Sequence, residues 1–115
     1  MDIQELRREA QTMQPQLTAD RRRLHRNPEA GAVLPETVAY VKERLTEMGY
    51  HPQELGGGLT ATVTGTDTGR CILLRADMDA LRGQEQSGLS FRSENGCMHA
   101  CGHDMHTAML LGAAR

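Results

Sequence analysis

Apolar residues in the first fifty positions recur at spacings of three, four and seven, the period of a helix with one buried face. Between residues 2 and 26 these positions are Ile3, Leu6, Ala10, Met13, Leu17 and Leu24. Pro15 lies inside that stretch and lacks a backbone donor, so we expect the helix to kink or split there. A second helix is predicted over 35–48, because Pro35 suits a first turn and Gly49 a helix end.

The middle of the chain has the pattern of extended strands. Residues 59–64 mix apolar residues with threonine and predict a strand, preceded by a turn at Gly56-Gly57-Gly58. Cys71-Ile72-Leu73-Leu74 is a continuous apolar run, typical of a strand buried on both faces of an α/β sheet. We therefore expect Cys71 to be buried. Asp67-Thr68-Gly69 is predicted to turn the chain between the two strands.

The last predicted helix begins near Asp104, after a loop over 82–98, and is apolar almost all round. A helix of that kind is normally enclosed by protein. The predicted fold class is therefore α/β, with helices packed on a buried, mainly parallel or mixed sheet. Such sheets usually have more than three strands. We expect residues 1–115 to be the incomplete, truncated front part of a larger domain.

Composition excludes several classes of function. The chain has 115 residues, about one domain, and a net charge of -2 that gives no reason to expect nucleic acid or an acidic membrane as partner. No apolar run approaches the roughly 18 residues of a membrane span. The charged N-terminus is not followed by a secretory apolar region, so a cytoplasmic protein is expected. Three cysteines are an odd number, which favours reduced thiols over a disulfide framework.

Metal-binding chemistry is concentrated near the C-terminal end. The residues concerned are Cys97, His99, Cys101, His103, Asp104 and His106. Thiolate, imidazole and carboxylate are ligands of zinc and related metals. Alternate residues of a strand lie about 6–7 Å apart, too far for four of them to share one ion. A bend at Gly102 can instead bring Cys101 and His103 to one metal. A nucleophilic Cys101–His103 pair is the competing interpretation.

Neighbouring polar residues have open roles on this evidence. Asp104 either caps the last helix or orients a ligand histidine. His106 follows His103 by about one helical turn and either faces the same site or covers the helix. Asp77 and Asp79 follow the predicted buried strand, where α/β folds place their sites, although two turn aspartates would look the same.

Three segments carry a family resemblance. They are LHRNPE (24–29), LRADMDAL (74–81) and MHACGHDMHTA (98–108), followed by LLGAA (110–114). In order and spacing they resemble the peptidase M20 amidohydrolases, in the branch of N-acyl-amino-acid, hippurate and auxin-conjugate hydrolases. The resemblance spans residues 24–115. Arg82 departs from it, since the family usually has proline there.

The resemblance implies a zinc-peptidase-like catalytic domain, a smaller lid domain that also forms homodimers, and one or two divalent ions, Zn²⁺ or Mn²⁺. It identifies Cys101 and His103 as metal ligands. It places the other ligands and the general-base glutamate beyond residue 115, so no catalytic residue is expected within the chain. The supporting residues are Asp77, Asp79, His99, Asp104 and His106.

The predicted function is therefore metal-dependent hydrolysis of the amide bond in small N-acylated amino acids or related conjugates, with little or no activity in the chain alone. The alternative is a small non-enzymatic metal-binding module that uses the cluster from Cys97 to His106. A third hypothesis is a fragment that needs a partner chain to cover its sheet edge and its apolar last helix.

Overall fold

The computed structural model describes residues 1–66 and 69–115. Their helices are α1 (Ile3–Thr12), α2 (Gln14–Arg26), α3 (Pro35–Glu47) and α4 (His103–Ala114). Their strands are β1 (Gln53–Leu55), β2 (Gly58–Thr60), β3 (Leu81–Arg82) and β4 (Cys97–Met98). All the predicted helices are confirmed. Residues 67 and 68 of the predicted turn at Asp67-Thr68-Gly69 lie outside the described residues.

The helix boundaries follow from local chemistry. The first predicted helix is split at Met13, and Pro15 lies in the first turn of α2, where its missing N–H breaks no helical bond. Asp2 caps α1 by accepting from the backbone N–H of Glu5 at 2.8 Å. The chain from α2 to α3 is short, and it bends at residues 27–34 so that the two helices pack on one core.

Helix α3 begins at Pro35 and is capped by a side chain from before the helix. The carboxylate of Glu29 accepts from the backbone N–H of Glu36 at 3.2 Å and of Thr37 at 2.6 Å. These are two of the N–H groups that the first turn of a helix leaves without a helical partner. The carboxylate also meets the positive end of the helix dipole. Glu29 therefore ties the LHRNPE segment to α3.

The paired strands form two short antiparallel hairpins. β1 pairs with β2, from Gln53 opposite Thr60 to Leu55 opposite Gly58, and the predicted glycine turn joins them. Gly56 and Gly57 have φ of 58° and 86°, values that glycine adopts without strain. The predicted strand over 59–64 is paired only as far as Thr60, so the prediction is wrong for residues 61–64. β3 and β4 pair across the segment predicted as loop.

The apolar run at residues 71–74 contradicts the prediction of a buried strand. Ile72, Leu73 and Leu74 are 84%, 87% and 61% exposed, and Cys71 is exposed as well. The run is in no strand of the described chain. A β-strand is stabilised by hydrogen bonds to a neighbouring strand, and within residues 1–66 and 69–115 none lies beside this run. The prediction of a mainly parallel or mixed buried sheet is likewise not met here; the parallel pairing described is an isolated bridge between Ala30 and Ala80.

The core lies between three helices. Leu24 of α2, Val41 and Leu45 of α3, and Leu111 of α4 form its buried centre. Helix α4 packs on α2. The start of α4, and with it the predicted metal segment, lies against residues 77–79. Among the residues described, no helix is both long and apolar enough to cross a membrane.

Candidate metal centre

The predicted metal segment runs from β4 through a tight turn into α4. Gly102 occupies the N-cap of α4 with φ 77°, the left-handed region that the bend between Cys101 and His103 requires. Cys101 lies in the turn with its side chain exposed. His103 is the first residue of α4. The structure therefore replaces the regular strand spacing of this segment with a turn followed by a helix.

His103 is held by the aspartate segment at residues 77–79. Its Nδ1 lies 3.0 Å from the carboxylate Oδ1 of Asp79 and 2.8 Å from the backbone carbonyl of the same residue. Because both groups only accept, Nδ1 is the donor, and Nε2 is the nitrogen left for another contact. Nε2 lies 3.9 Å from Oδ2 of Asp77.

Thr107 fixes the same junction one turn further along α4. Its hydroxyl contacts the carbonyl of Asp77 at 3.0 Å and the carbonyl of His103 at 2.9 Å. Asp77 and Asp79, which the sequence placed after a buried strand, therefore do meet the metal segment. They do so although the strand itself is not formed in the described chain.

His106 shares this face of α4. Its ring stacks on that of His103, with centroids 5.6 Å apart and planes inclined by 29°. The residue is exposed. The structure combines the two alternatives for His106: its ring lies beside that of His103, and its side chain is at the surface of the helix.

The donors available here fit a divalent transition metal in kind. A solvent-exposed thiol and an imidazole with one nitrogen fixed by a carboxylate are the donors such an ion takes in proteins. No group of three or more His, Cys, Asp or Glu side chains in residues 1–66 and 69–115 is arranged to hold an ion. The described residues thus provide fewer donors than the four of a closed zinc site. The alternative of a self-contained metal module has no preformed site among them.

Asp104 faces away from this group, into the protein. It is 1% exposed, and its Oδ2 accepts from Nδ1 of His25 at 2.7 Å and from Nε of Arg21 at 2.8 Å. Burial disfavours the charged carboxylate, but these two donors outweigh it and hold the pKa of Asp104 below its usual value. Asp104 is therefore not the helix cap that the sequence allowed, since Gly102 occupies that position.

The other ring nitrogen of His25 faces a second buried carboxylate. Nε2 lies 2.8 Å from Oε1 of Glu85, a close contact that is not aligned as a hydrogen bond. Glu85 also accepts from the hydroxyl of Ser87 and from the backbone N–H of Ser93. Burial would raise the pKa of Glu85, but Ser87, His25 and Ser93 together lower it to about 2. His25 thus stands between two carboxylates that α4 and the 85–93 loop provide.

His99 is buried beside this pair of contacts. Its ring centroid lies 6.4 Å from that of His25, and neither of its ring nitrogens has a hydrogen-bond partner in the described structure. Burial is the main cause that lowers the pKa of His99. A neutral imidazole is the form that such an environment favours.

Sequence reasoning did not assign His25, Arg21 or Glu85 to a site. The signal in the sequence is the LHRNPE segment, which carries part of the resemblance but gives its histidine no role. His25 contacts Asp104 across 79 positions of sequence. Neither helical period nor motif spacing indicates a contact of that range, because it depends on how α4 packs on α2.

The chain is similar to known proteins of one peptidase family. Residues 73–115 match the model of "Peptidase family M20/M25/M40". An N-acetyl-L-cysteine deacetylase of Bacillus subtilis is 47% identical over 106 residues, covering 90% of this chain and 26% of that protein. An N-acyl-L-amino acid amidohydrolase of Geobacillus stearothermophilus is 40% identical over 120 aligned positions, covering 100% of this chain and 32% of that protein.

A solved structure is also similar. A Bacillus subtilis protein described as a dinuclear metal-binding peptidase from the M20 family superposes with a TM-score of 0.84 at 37% identity. The match covers 90% of this chain and 30% of that one. The α/β fold class is therefore confirmed, as a partial domain. The chain spans about 30% of the length of the relatives it matches.

Proposed function

We propose that this chain, which belongs to peptidase family M20, carries the first metal-binding segment of a hydrolase that cleaves the amide bond of N-acylated amino acids or related small conjugates. Family membership rests on the matches at 37–47% identity and on the superposition. The substrate class is taken from the names of the relatives, two of which are deacylating enzymes of N-acyl amino acids.

The observation that carries the proposal is the contact between His103 and Asp79. In metal sites a ligating histidine almost always donates its other ring N–H to a carboxylate or a carbonyl, which fixes the tautomer and the ring orientation. Nδ1 of His103 meets both kinds of acceptor on Asp79. Nε2 is the nitrogen that this arrangement leaves for a metal. Cys101, exposed in the preceding turn, would supply a thiolate.

A bound divalent ion would polarise the scissile carbonyl and lower the pKa of a water molecule. The residues of this chain would contribute two metal ligands and the side chains that orient them. Cys101 and His103 hold the ion, Asp79 fixes the ring of His103, and Asp77, His99, Asp104 and His106 support them. The general base and the remaining ligands are proposed to come from other parts of the full-length protein. We therefore expect the 115-residue chain, as an incomplete part of the catalytic domain, to be inactive alone.

Further features of the full-length protein belong to the same proposal. The ion is Zn²⁺ or Mn²⁺, and a second ion is supported by the solved relative that is described as dinuclear. The full-length protein is proposed to form homodimers through a lid domain. A cytoplasmic location is proposed as well, in keeping with three cysteines that are all unpaired.

The experiment is a Co²⁺ titration of the 115-residue chain, followed by the absorption of the cobalt–thiolate bond. We expect Cys101→Ala and His103→Ala to abolish the band. Cys71→Ala removes another exposed thiol and serves as the matched control that keeps it. Equal spectra for Cys101→Ala and the unsubstituted chain would contradict the assignment. Turnover of N-acetyl or N-benzoyl amino acids by the chain with Mn²⁺ or Zn²⁺ would contradict its inactivity.

A further inference from the structure

We infer that His25 is a positioning residue for the metal segment: its Nδ1–H, bonded to Asp104, fixes the orientation of the first turn of α4 and so presents Cys101 and His103 to a metal. This inference rests on the proposed function for its consequence and on the described contacts for its geometry.

Asp104 lies in the first turn of α4. It directly follows His103, so the two side chains leave the same helical turn in different directions. His103 turns toward Asp79, while Asp104 is 1% exposed and turns toward α2. Any rotation of this turn about the helix axis that shifts Asp104 also shifts His103. The two contacts therefore hold one turn from two sides.

Apart from the contacts of His103 with Asp79 and of Thr107 with Asp77, the start of α4 has no side-chain cap. Gly102 is the N-cap and has no side chain with which to cap the helix. The first helical bonds run from the N–H groups of Met105 and His106 to the carbonyl of Gly102, both at 3.1 Å. The buried bonds from His25 and Arg21 to Asp104 hold the side chain of the second helical residue in place.

His25 is itself fixed by its surroundings. Its Nε2 faces Glu85, and the ring lies edge-on to Phe91 with centroids 5.5 Å apart. The ring is therefore located by one hydrogen bond at Nδ1, a close contact at Nε2 and packing against Phe91. The orientation of Nδ1 is thus set by α2 and the 85–93 loop, neither of which provides a proposed metal ligand.

The test compares two substitutions of His25, each of which keeps a donor in place of a different ring nitrogen. The amide nitrogen of asparagine can replace Nδ1, and that of glutamine can replace Nε2. We expect His25→Asn to keep the bond to Asp104 and to bind Co²⁺ nearly as the unsubstituted chain does. His25→Gln should weaken binding about tenfold, the lower end of losses seen for outer-shell partners of metal ligands. His51→Asn removes an exposed histidine and is the control.

Hydrogen exchange gives a readout that needs no metal. In His25→Gln the amides of Met105 and His106 should exchange about tenfold faster, as expected when one bond to a charged group is lost. In His25→Asn they should not. Equal exchange and equal affinity for the two variants would overturn the inference, as would the opposite order. If His25 only stabilises the fold in general, the losses of Co²⁺ affinity and of exchange protection should follow the fall in melting temperature of each variant. They should then not depend on which ring nitrogen the new side chain replaces.

The Co²⁺ titration of Cys101→Ala tests the proposed function, and the exchange measurement tests the role of His25 separately. If Cys101→Ala binds Co²⁺ as well as the unsubstituted chain, the metal assignment fails, and the exchange data still decide whether His25 orients α4. If both His25 variants unfold, Arg21→Ala provides the second test. Arg21 is only partly buried, and its substitution removes one of the two donors to Asp104. It should accelerate exchange at Met105 and His106, and unchanged exchange would contradict the inference.

Discussion

Nδ1 of His103 lies 3.0 Å from the carboxylate of Asp79 and 2.8 Å from its backbone carbonyl, so one residue holds one side of the imidazole ring twice. The two residues are 24 positions apart in sequence. They join the segment at 77–79 to the start of α4. The pairing is the part of the site that can be tested most directly, because it separates a side-chain acceptor from a backbone acceptor.

Replacing Asp79 with alanine should weaken Co²⁺ binding about tenfold. The backbone carbonyl keeps one contact to Nδ1, so the loss should be smaller than that of His103→Ala, which removes the ligand itself. Asp79→Asn keeps a side-chain oxygen that can accept and is the matched control, with a smaller effect. The measurement is a competition titration with a metal indicator. Unchanged affinity in Asp79→Ala would show that the carboxylate does not orient the ring.

The helices of this chain could be predicted from sequence because their causes are local. The period of apolar residues, Pro15, Pro35 and Gly102 each act within a turn or two of their own position. The predicted strand at 71–74 failed for the opposite reason. Its apolar composition is real, but a strand needs a neighbour, and the described chain supplies none beside Ile72 or Leu73.

The same distinction applies to the site. The sequence indicated a candidate metal segment and two aspartates, since residue type and motif order are visible in a single chain, and the structure brings the two segments into contact. The direction of each side chain was not visible. Of the two roles predicted for Asp104, the cap of α4 is wrong, and the side chain lies against His25 and Arg21 of α2. That contact depends on packing between elements that are far apart in sequence.

Asp20 should be a sensitive position for stability. It is 1% exposed, and a single oxygen, Oδ1, accepts from Tyr40 at 2.6 Å, from Arg44 at 3.0 Å and from Gln16 at 3.1 Å. Asp20→Ala leaves the guanidinium of Arg44, itself largely buried, without its main partner. We expect a loss of about 3 kcal/mol in the free energy of unfolding, measured by urea denaturation.

Asp20→Asn is the informative companion, because its side-chain oxygen can still accept from all three donors while the charge is removed. A loss of about 1 kcal/mol is expected, the range of a single hydrogen-bond contribution. Equal losses for alanine and asparagine would mean that the charge, and not the geometry of the acceptor, stabilises the contact between α2 and α3.

Gly112 sets the approach of α4 to α2. A Cβ added there would lie 2.7 Å from Cδ2 of Leu17, closer than two carbon atoms can pack. Alanine in a helix is normally favoured over glycine by about 1 kcal/mol. Overpacking a well-packed core costs about 1–3 kcal/mol, but the atom met here is the methyl end of Leu17, which is only partly buried and can turn aside. Gly112→Ala should therefore be close to neutral in the unsubstituted chain.

A double-mutant cycle tests this explanation. In a Leu17→Ala background the obstructing methyl group is absent, and Gly112→Ala should then stabilise the chain by up to about 1 kcal/mol through helix propensity alone. Gly112→Ala should therefore be more stabilising in the Leu17→Ala background than in the unsubstituted chain. If its effect is the same in both, the contact with Leu17 has no influence on it.

Glu85 should contribute to acid sensitivity. Its pKa is lowered from 4.5 to about 2 in the folded protein, so the folded state binds this proton less readily than the unfolded state. The stabilisation is complete above the unfolded pKa of 4.5 and is lost as the pH falls toward 2. Glu85→Gln removes this dependence, although its amide cannot replace the charge beside His25, so the variant should be less stable at neutral pH.

The difference in unfolding free energy between the two proteins should consequently shrink as the pH is lowered from 5 to 2. Part of the acid sensitivity will remain in Glu85→Gln, because the pKa of Asp104 is also lowered in the folded state. Glu94→Gln is the matched control, since this exposed glutamate pairs with Arg92 at the surface, where ion pairs contribute little. Urea denaturation across that pH range provides the measurement. A gap between Glu85→Gln and the unsubstituted chain that stays constant with pH would show that Glu85 stabilises the fold through contacts independent of its ionisation.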